Sequence, residues 1–454
     1  MIPSYCIVGG GISGLTAAYR LRASVGAQAT ITLFDPGDRL GGVLRTERVG
    51  GQPMDVGAEA FVLRRPEVPA LLAELGLSGR QLGTTGARPL IYSQERLHPL
   101  PRDTVAGIPS SAMSMAGLVD DATITRIDGE PARPLSWRPG SDPAVAELVA
   151  ERFGEQVVAR SVDPLLGGVY AGLAPTIGLR SAAPTLAAAL DAGAASLSDA
   201  VRLALPAGSD APVFGAVDGG YTVLVDGLVR RTRLHWVQAS VRHIDRVERG
   251  WALHDDTGAR WRADAVILAV PAPQLAGLVD RIAPRTAAAT RRIASASSAV
   301  VALAVPGDTP FPEHSGVLVA SGERLHAKAI TLSSRKWGRR GDTQLVRLSF
   351  GRFGDDVAVS ASDADLLAWA LQDLTTVFGV VVDPVDVCVR RWIDAMPQYG
   401  PGHADLVTEL RAGLPPMLAL AGSYLDGIGV PACIAAAGRA VTDAVGAVEA
   451  SVAR

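Results

Sequence analysis

Gly9, Gly11 and Gly14 lie in the segment Cys6-Ile-Val-Gly-Gly-Gly-Ile-Ser-Gly with the spacing G-x-G-x-x-G. Glycine serves there for a tight turn, for close approach of backbone to a pyrophosphate, and for close helix–strand packing. The chemistry implied is capture of a dinucleotide. The loop from Gly9 to Gly14, with Gly10, Ile12 and Ser13 included, offers N–H groups at a helix N-terminus, where partial positive charge favours phosphate. Asp35 follows 21 residues after Gly14. Its carboxylate can accept hydrogen bonds from ribose hydroxyls and repels a 2′-phosphate. The glycine spacing alone is a weak signal that a Gly-rich structural turn also satisfies; its flanks strengthen it.

Those flanks are the elements that must position the loop. The apolar run Tyr5–Val8 predicts a buried parallel strand, Ser13–Ala23 the helix after it, and Thr30–Phe34 a second strand ending at Asp35. Pro66–Leu75 reads as a helix and Pro89–Leu100 as strands, whereas 101–140, rich in Pro, Gly, Ser and Met, shows no clear period. Ser141-Asp-Pro-Ala opens a helix with Asp142 as its cap and Pro143 in its first turn. Val145, Leu148, Val149, Phe153 and Val157 continue it at helical spacing. A further helical stretch spans Ala183–Ala204, and strand character returns at Val237–Arg246. A hairpin turning at Asp255-Asp-Thr-Gly follows, then a buried strand from Asp264. Strands dominate 281–390, apart from a helix at Asp363–Phe378. The chain closes with a strand at Met417–Ala421, a glycine loop, and a helix from Pro431 to Val452. Strand–glycine–helix units at both ends imply that the two termini build one ligand site around an inserted middle.

At 454 residues the chain is too long for one core, so two or three domains are expected. A hydrophobic content of 48% argues against long disorder, and a net charge of −3 gives no general attraction to nucleic acid. Lys328 and Lys336 are the only lysines beside abundant arginine. Cys6, Cys388 and Cys433 have neither metal-ligand nor C-x-x-C spacing; no metal is expected, and scattered cysteines suit a reducing cytoplasm. The first apolar run is already the nucleotide-binding strand, which argues against a signal peptide. No stretch reaches the ~18 uninterrupted apolar residues of a membrane span. Peripheral contact with the inner face of the cell membrane stays open.

Arg39-Leu-Gly-Gly-Val resembles the second glycine pair of amine-oxidase-like flavoproteins. In that superfamily Gly42 and Val43 would bring backbone near the FAD pyrophosphate and ribityl chain, with Arg39 adding charge-assisted contacts. Asp55-Val-Gly-Ala-Glu stands where the superfamily approaches the flavin ring. In Ala421-Gly-Ser-Tyr…Gly427-Ile-Gly-Val-Pro, Pro431 suits a first helical turn, so a helix dipole would face whatever sits above Gly429 and Val430. Beside a flavin it would stabilise the negative charge that develops on reduction. Plain glycine turns are the alternative. The set favours FAD over NAD.

Four more segments make the resemblance specific: Asp163-Pro-Leu-Leu-Gly-Gly-Val-Tyr-Ala-Gly, Ser334-Arg-Lys-Trp, Arg391-Trp-Ile-Asp-Ala-Met-Pro-Gln-Tyr-Gly-Pro-Gly-His, and Gly427 to Cys433. Along nearly its whole length the chain resembles the oxygen-dependent protoporphyrinogen oxidases and their coproporphyrinogen III oxidase relatives. Pro397-Gln-Tyr-x-x-Gly-His is the most family-specific string. The resemblance implies an α/β and α+β multidomain fold. A Rossmann-like FAD-binding domain would comprise 1–75, 210–280 and 391–454, and a mixed-sheet substrate domain 76–100 and 281–390. A mostly helical domain, membrane-associating in many relatives, would take 101–209.

The same resemblance implies removal of six electrons from a porphyrinogen, oxygen as acceptor, hydrogen peroxide as product, and a place in haem biosynthesis with transient contact to neighbouring enzymes. Coproporphyrinogen III is the favoured substrate and protoporphyrinogen IX the alternative. FAD contacts carry over to Gly9 through Gly14, Asp35, Arg39, Gly42, Val43, Gly57, Ala58, Glu59, Ala60, Val241 (through its backbone, to adenine), Trp392, Ile428, Gly429 and Val430. The Gly168 carbonyl carries over as a proton acceptor. Tyr399 is a candidate substrate contact and His403 a candidate for proton transfer. Eukaryotic members place a propionate-binding arginine three residues before the equivalent of Tyr92; here Pro89 stands there, with Arg88 one residue earlier. A flavin amine oxidase or desaturase of the same fold, and a non-catalytic FAD-binding redox protein, are the rival readings.

Overall fold

The computed structural model describes residues 2–206, 212–339 and 341–452; the expected domain boundary at 209/210 falls outside them. Five strands form a parallel sheet in the order His235–Val237, Thr30–Phe34, Ser4–Val8, Ala265–Leu268, Leu418–Leu420. A parallel sheet covered on both faces needs apolar residues throughout, and strand alternation sends them to opposite sides. Tyr5 and Ile7 enter a core shared with the helices Ile12–Val25 and Val430–Val452. Cys6 and Val8 enter another with Ile244, Trp251 and Leu253. That second layer is an antiparallel sheet of Val241–Arg246, Trp251–Asp255 and Arg260–Ala263. The stretch expected as one strand over Val237–Arg246 is therefore two. Val237 pairs with Phe34 in the parallel sheet, and Val241 pairs with Asp255 in the antiparallel one.

A seven-stranded mixed sheet runs Asp386–Pro397, Ser295–Pro306, Thr343–Phe350, Ala329–Thr331, Gly316–Val319, Leu90–Ser93, Arg96–Pro99. Only the pairing of Gly316–Val319 with Leu90–Ser93 is parallel. Ala299, Val301, Leu303 and Val305 face the helix Asp363–Phe378, while Ala302 and Ala304 pack on Val49 and Met54. A capping box of Ser362 and Asp365 starts that helix.

Residues 101–206 are chiefly short helices around a buried ion pair, Arg152 to Glu130 at 2.6 Å. Glu130 also accepts from the N–H groups of Leu197 and Ser198 and from the Ser198 hydroxyl, so the buried charge is fully hydrogen-bonded. Two expectations are corrected here. The helix Val145–Phe153 starts after Ala144 and Asp142 does not cap it. The Asp142 carboxylate accepts instead from the N–H groups of Arg180 and Gly402, both at 2.8 Å, and ties two distant turns together. The stretch Ala183–Ala204 breaks into Pro184–Asp191 and Leu197–Ala204, because Gly193 takes φ +90° and Ser196 caps the second helix.

Candidate active site

The three glycines of the first motif differ in what they tolerate. A Cβ on Gly9, whose φ is +109°, would lie 2.5 Å from the Ala269 carbonyl oxygen, and one on Gly14 would lie 1.9 Å from that of Gly9. These glycines serve strand–helix packing. Gly11 has an ordinary φ of −71° and nothing within 4 Å of its would-be Cβ, directly at the N-terminus of the helix Ile12–Val25. Space there is left for something other than the chain itself. Ile12 and Ser13 are buried beneath it in the first turn. The Asp35 carboxylate accepts from the Gly10 N–H at 2.7 Å and the Gly37 N–H at 2.9 Å, which orients it with lone pairs to spare.

The second glycine pair docks on the first. The Gly41 N–H donates to the Gly10 carbonyl at 2.8 Å, and Gly42, at φ +57°, comes so close that its Cβ would sit 3.2 Å from the Gly11 Cα. Arg39 spans this loop, donating to the carbonyls of Leu40, Leu44 and Gly42, and its Nε is buried without a partner. Val43 leads onward: its carbonyl accepts from the Ala58 N–H at 3.2 Å.

Gly57 is held from three sides. A Cβ there would meet the Val43 carbonyl oxygen at 1.8 Å and the Trp392 ring at 3.0 Å. The Trp392 indole N–H donates to the Val56 carbonyl at 2.8 Å, and Arg347 donates to the carbonyls of Gly57 and Asp55. Glu59 accepts from Lys336 at 2.7 Å and from Ser333 and Trp337 at 3.1 Å each. Burial alone would raise its pKa. The charges of Lys336 and Arg347 and the hydrogen bonds override that, leaving it at about 2. The Glu59 side chain is thus spent on the protein, and only its backbone and those of the half-buried Ala58 and Ala60 remain for a ligand. Neither Arg347 nor the partners of Glu59 were legible as site residues. The segment Ser334-Arg-Lys-Trp stood out without a role, and its Lys336 and Trp337 prove to be the clamp on Glu59.

At the other end Pro397-Gln-Tyr is a tie. Gln398 donates through its side-chain amide to the Tyr170 carbonyl at 2.8 Å. The Tyr399 hydroxyl donates to the Ser423 carbonyl at 2.5 Å and accepts from the Gly427 N–H. Tyr399 is buried, and its hydroxyl is committed to the C-terminal glycine loop. His403 stacks on the Tyr399 ring at 3.9 Å, and its Nε2 donates to the carbonyls of Tyr424 and Leu425. Burial pushes its pKa down, against those carbonyl bonds. The stack and the two carbonyl bonds make His403 a support of this turn. Ile428 packs against the core containing Tyr399, Gly429 is exposed, and the Gly429 carbonyl accepts from Cys433 in the first turn of the last helix, where Val430 is buried.

Gly168 lies exposed near the end of the helix Asp163–Tyr170, and its carbonyl receives no backbone N–H among the described residues. Arg88 is exposed in the loop before the strand Leu90–Ser93, outside every contact just described. Val241 is buried at the start of its strand, four residues beyond Val237, whose carbonyl accepts from the Asp35 N–H.

The family model described as flavin containing amine oxidoreductase matches residues 12–445. The chain belongs to that family. FAD is its cofactor, and the cradle fits the group: open space above Gly11, an unpartnered Arg39 Nε, and backbone-lined approaches at Gly42 and Gly57. The fold is that of the family's α/β oxidoreductases. The chain is 76% identical over 451 residues to the coproporphyrinogen III oxidase of Mycobacterium tuberculosis, covering 99% of each chain. It is 28% identical to that of Bacillus subtilis, covering 97% of each. A solved structure from Exiguobacterium sp. 255-15, provisionally named a protoporphyrinogen oxidase, superimposes with a TM-score of 0.87 at 28% identity, over 97% of this chain and 98% of that one. Among the described residues no helix is long and apolar enough to cross a membrane.

Proposed function

We propose that this flavoenzyme oxidises coproporphyrinogen III to coproporphyrin III in haem biosynthesis, with molecular oxygen as acceptor and hydrogen peroxide as product. The observation that carries the reading is the 76% identity, end to end, with a protein of that name. Bound FAD supplies the acceptor for electrons, two at a time. Gly9 through Gly14, Asp35 and Arg39 are assigned to its nucleotide half. Gly42, Val43, the Gly57–Ala60 backbone, Trp392 and Ile428–Val430 are assigned to its flavin half, and Val241 to adenine.

The chain's own contribution is orientation. Gln398 fixes the end of the helix that carries Gly168, and Tyr399 fixes the glycine loop, so two adjacent residues register the substrate side against the cofactor side. The free Gly168 carbonyl is assigned to hold an N–H or a departing proton of the substrate. Arg88, exposed in the loop before Leu90–Ser93, is assigned to a propionate. The three-part division into FAD, substrate and helical domains is retained as part of this reading. Three free cysteines support a reducing, cytoplasmic setting.

The test is turnover. FAD-loaded protein is given coproporphyrinogen III and, separately, protoporphyrinogen IX in air, while porphyrin fluorescence and peroxide are followed. Faster coproporphyrin formation with peroxide in step is expected. Turnover of neither sinks the activity, and preference for protoporphyrinogen sinks the substrate assignment.

A further inference from the structure

The antiparallel hairpin behind the nucleotide sheet carries a cluster that the site above leaves unused. His243 and Asp245, two residues apart on one strand, point to the same side, and His254 stands opposite His243 on the next strand. The other side of these strands is core: Ile244, Leu253 and Trp251 are each 1% exposed or less. The two imidazoles stack with centroids 4.2 Å apart and planes at 13°. Asp245 Oδ2 lies 3.2 Å from His254 Nε2 and 3.8 Å from His243 Nε2. One ligand atom from each residue falls within 4.8 Å of the others. His254 Nε2 is buried yet makes no well-aligned hydrogen bond. The pairing register shifts between Val241 and His243, an irregularity next to the cluster.

We propose that His243, Asp245 and His254 form a binding site for a divalent transition-metal ion, with Zn2+ the best match and water completing its coordination. Bonds of ~2.0–2.2 Å in tetrahedral geometry place ligand atoms ~3.4 Å apart, close to the two Asp245 separations, while the stacked imidazoles must turn out of parallel to aim both nitrogens at one ion. Two imidazoles and one carboxylate suit Zn2+, Co2+ or Ni2+, whereas Mg2+ and Ca2+ demand oxygen. The hairpin is seated on core, so the strands that carry the three ligands are held in register before an ion arrives. Arg260 and Arg262 stand on the same side of the third strand and oppose a cation, but both are exposed and their long stems carry the charge into water. Val241 is two residues before His243. An ion would therefore pin the strand assigned to adenine, a consequence that rests on the FAD assignment while the ion site itself does not.

Untagged, FAD-loaded protein, stripped of metal by chelation and dialysis, is titrated calorimetrically with Zn2+ and Mg2+, and with Co2+ while its visible absorption is read. Saturable binding of one Zn2+ per chain is expected, with tetrahedral-type Co2+ bands and no heat from Mg2+. His243→Ala and His254→Ala each should weaken Zn2+ binding beyond the ~100-fold that loss of a group hydrogen-bonded to a ligand costs, with the flavin spectrum unchanged. Asp245→Asn, which keeps the side-chain size, should weaken it as well and covers the case in which a histidine variant fails to fold. Absence of saturable Zn2+ binding, equal binding of Mg2+, or full affinity in the variants would overturn the site.

Discussion

The Tyr399 hydroxyl accepts a hydrogen bond from the Gly427 N–H at 3.0 Å, joining a buried phenol to the loop in front of the last helix. It also donates to the Ser423 carbonyl, and the ring lies flat on His403, whose Nε2 holds the intervening carbonyls of Tyr424 and Leu425. Two stacked rings thus determine the path of residues 423–427 before any ligand binds.

Tyr399→Phe keeps the stack and removes the hydroxyl. The Gly427 N–H and the Ser423 carbonyl lose their partner, at ~1–3 kcal/mol for each group left unsatisfied. Lower melting temperature and weaker FAD binding are expected together, read by thermal unfolding and by quenching of flavin fluorescence. A variant that binds FAD as the parent does would remove Tyr399 from the support of the loop.

Gly11→Ala separates the cradle from the fold. The added methyl meets no protein atom within 4 Å and φ is already ordinary, so apo-protein stability should stay within ~0.5 kcal/mol of the parent. FAD affinity should fall about tenfold or more, ~1.4 kcal/mol or more, if the pyrophosphate sits above Gly11 as proposed and the methyl takes its space. Gly14→Ala is the contrast. Its Cβ would sit 1.9 Å from the Gly9 carbonyl oxygen, so fold and FAD binding should fail together. Equal FAD affinity in the first variant would place the pyrophosphate elsewhere.

Glu59→Gln leaves Lys336 and Arg347 without their shared counter-charge. About 3 kcal/mol of stability should be lost at neutral pH, the lower end for a broken buried pair, since Lys336 keeps 18% exposure. The pH dependence has a definite sign. Glu59 is depressed from 4.5 to about 2, so its contribution is complete above the unfolded value and disappears as pH falls from 4.5 to 2. Urea unfolding at several pH values should show the parent and the variant converging over that acid range. Parallel curves would contradict the ion pair.

What could be read from the chain is what is local in it. The strand Thr30–Phe34, the helix Asp363–Phe378 and the hairpin after Trp251 follow from short-range period and turn chemistry, and they occur as expected. The links that organise the site are long-range. Glu59 and Lys336 are 277 residues apart, and Arg347 and Gly57 are 290 apart. No periodicity connects such residues; only the packing of the mixed sheet against the 55–60 segment does. The same limit explains Asp142, which looked like a helix cap and instead bridges two turns. It also explains Tyr399 and His403, whose types suggested chemistry and whose surroundings make them supports.

Lys328 gives the last prediction. It is buried, its Nζ donates to the carbonyls of Phe350 and Gly351, and no carboxylate pairs with it among the described residues. Burial, with Arg352 alongside, pushes its ammonium down from 10.5 to about 7. Between those values the unfolded chain holds the proton and the folded chain does not, so this group makes stability rise with pH through that window. Below pH 7 the cost of burying the charge is constant. Lys328→Met removes the titration and leaves the two carbonyls unpaired, which adds a penalty that does not depend on pH. The readout is therefore the difference between variant and parent, in which all other titrations cancel. That difference should favour the variant most at pH 7 and below, and decline steadily toward pH 10.5. A depression of even ~1 pH unit changes stability by ~1.4 kcal/mol, which chemical denaturation resolves. A difference that stays flat from pH 7 to 10.5 would mean that Lys328 remains charged in the fold throughout.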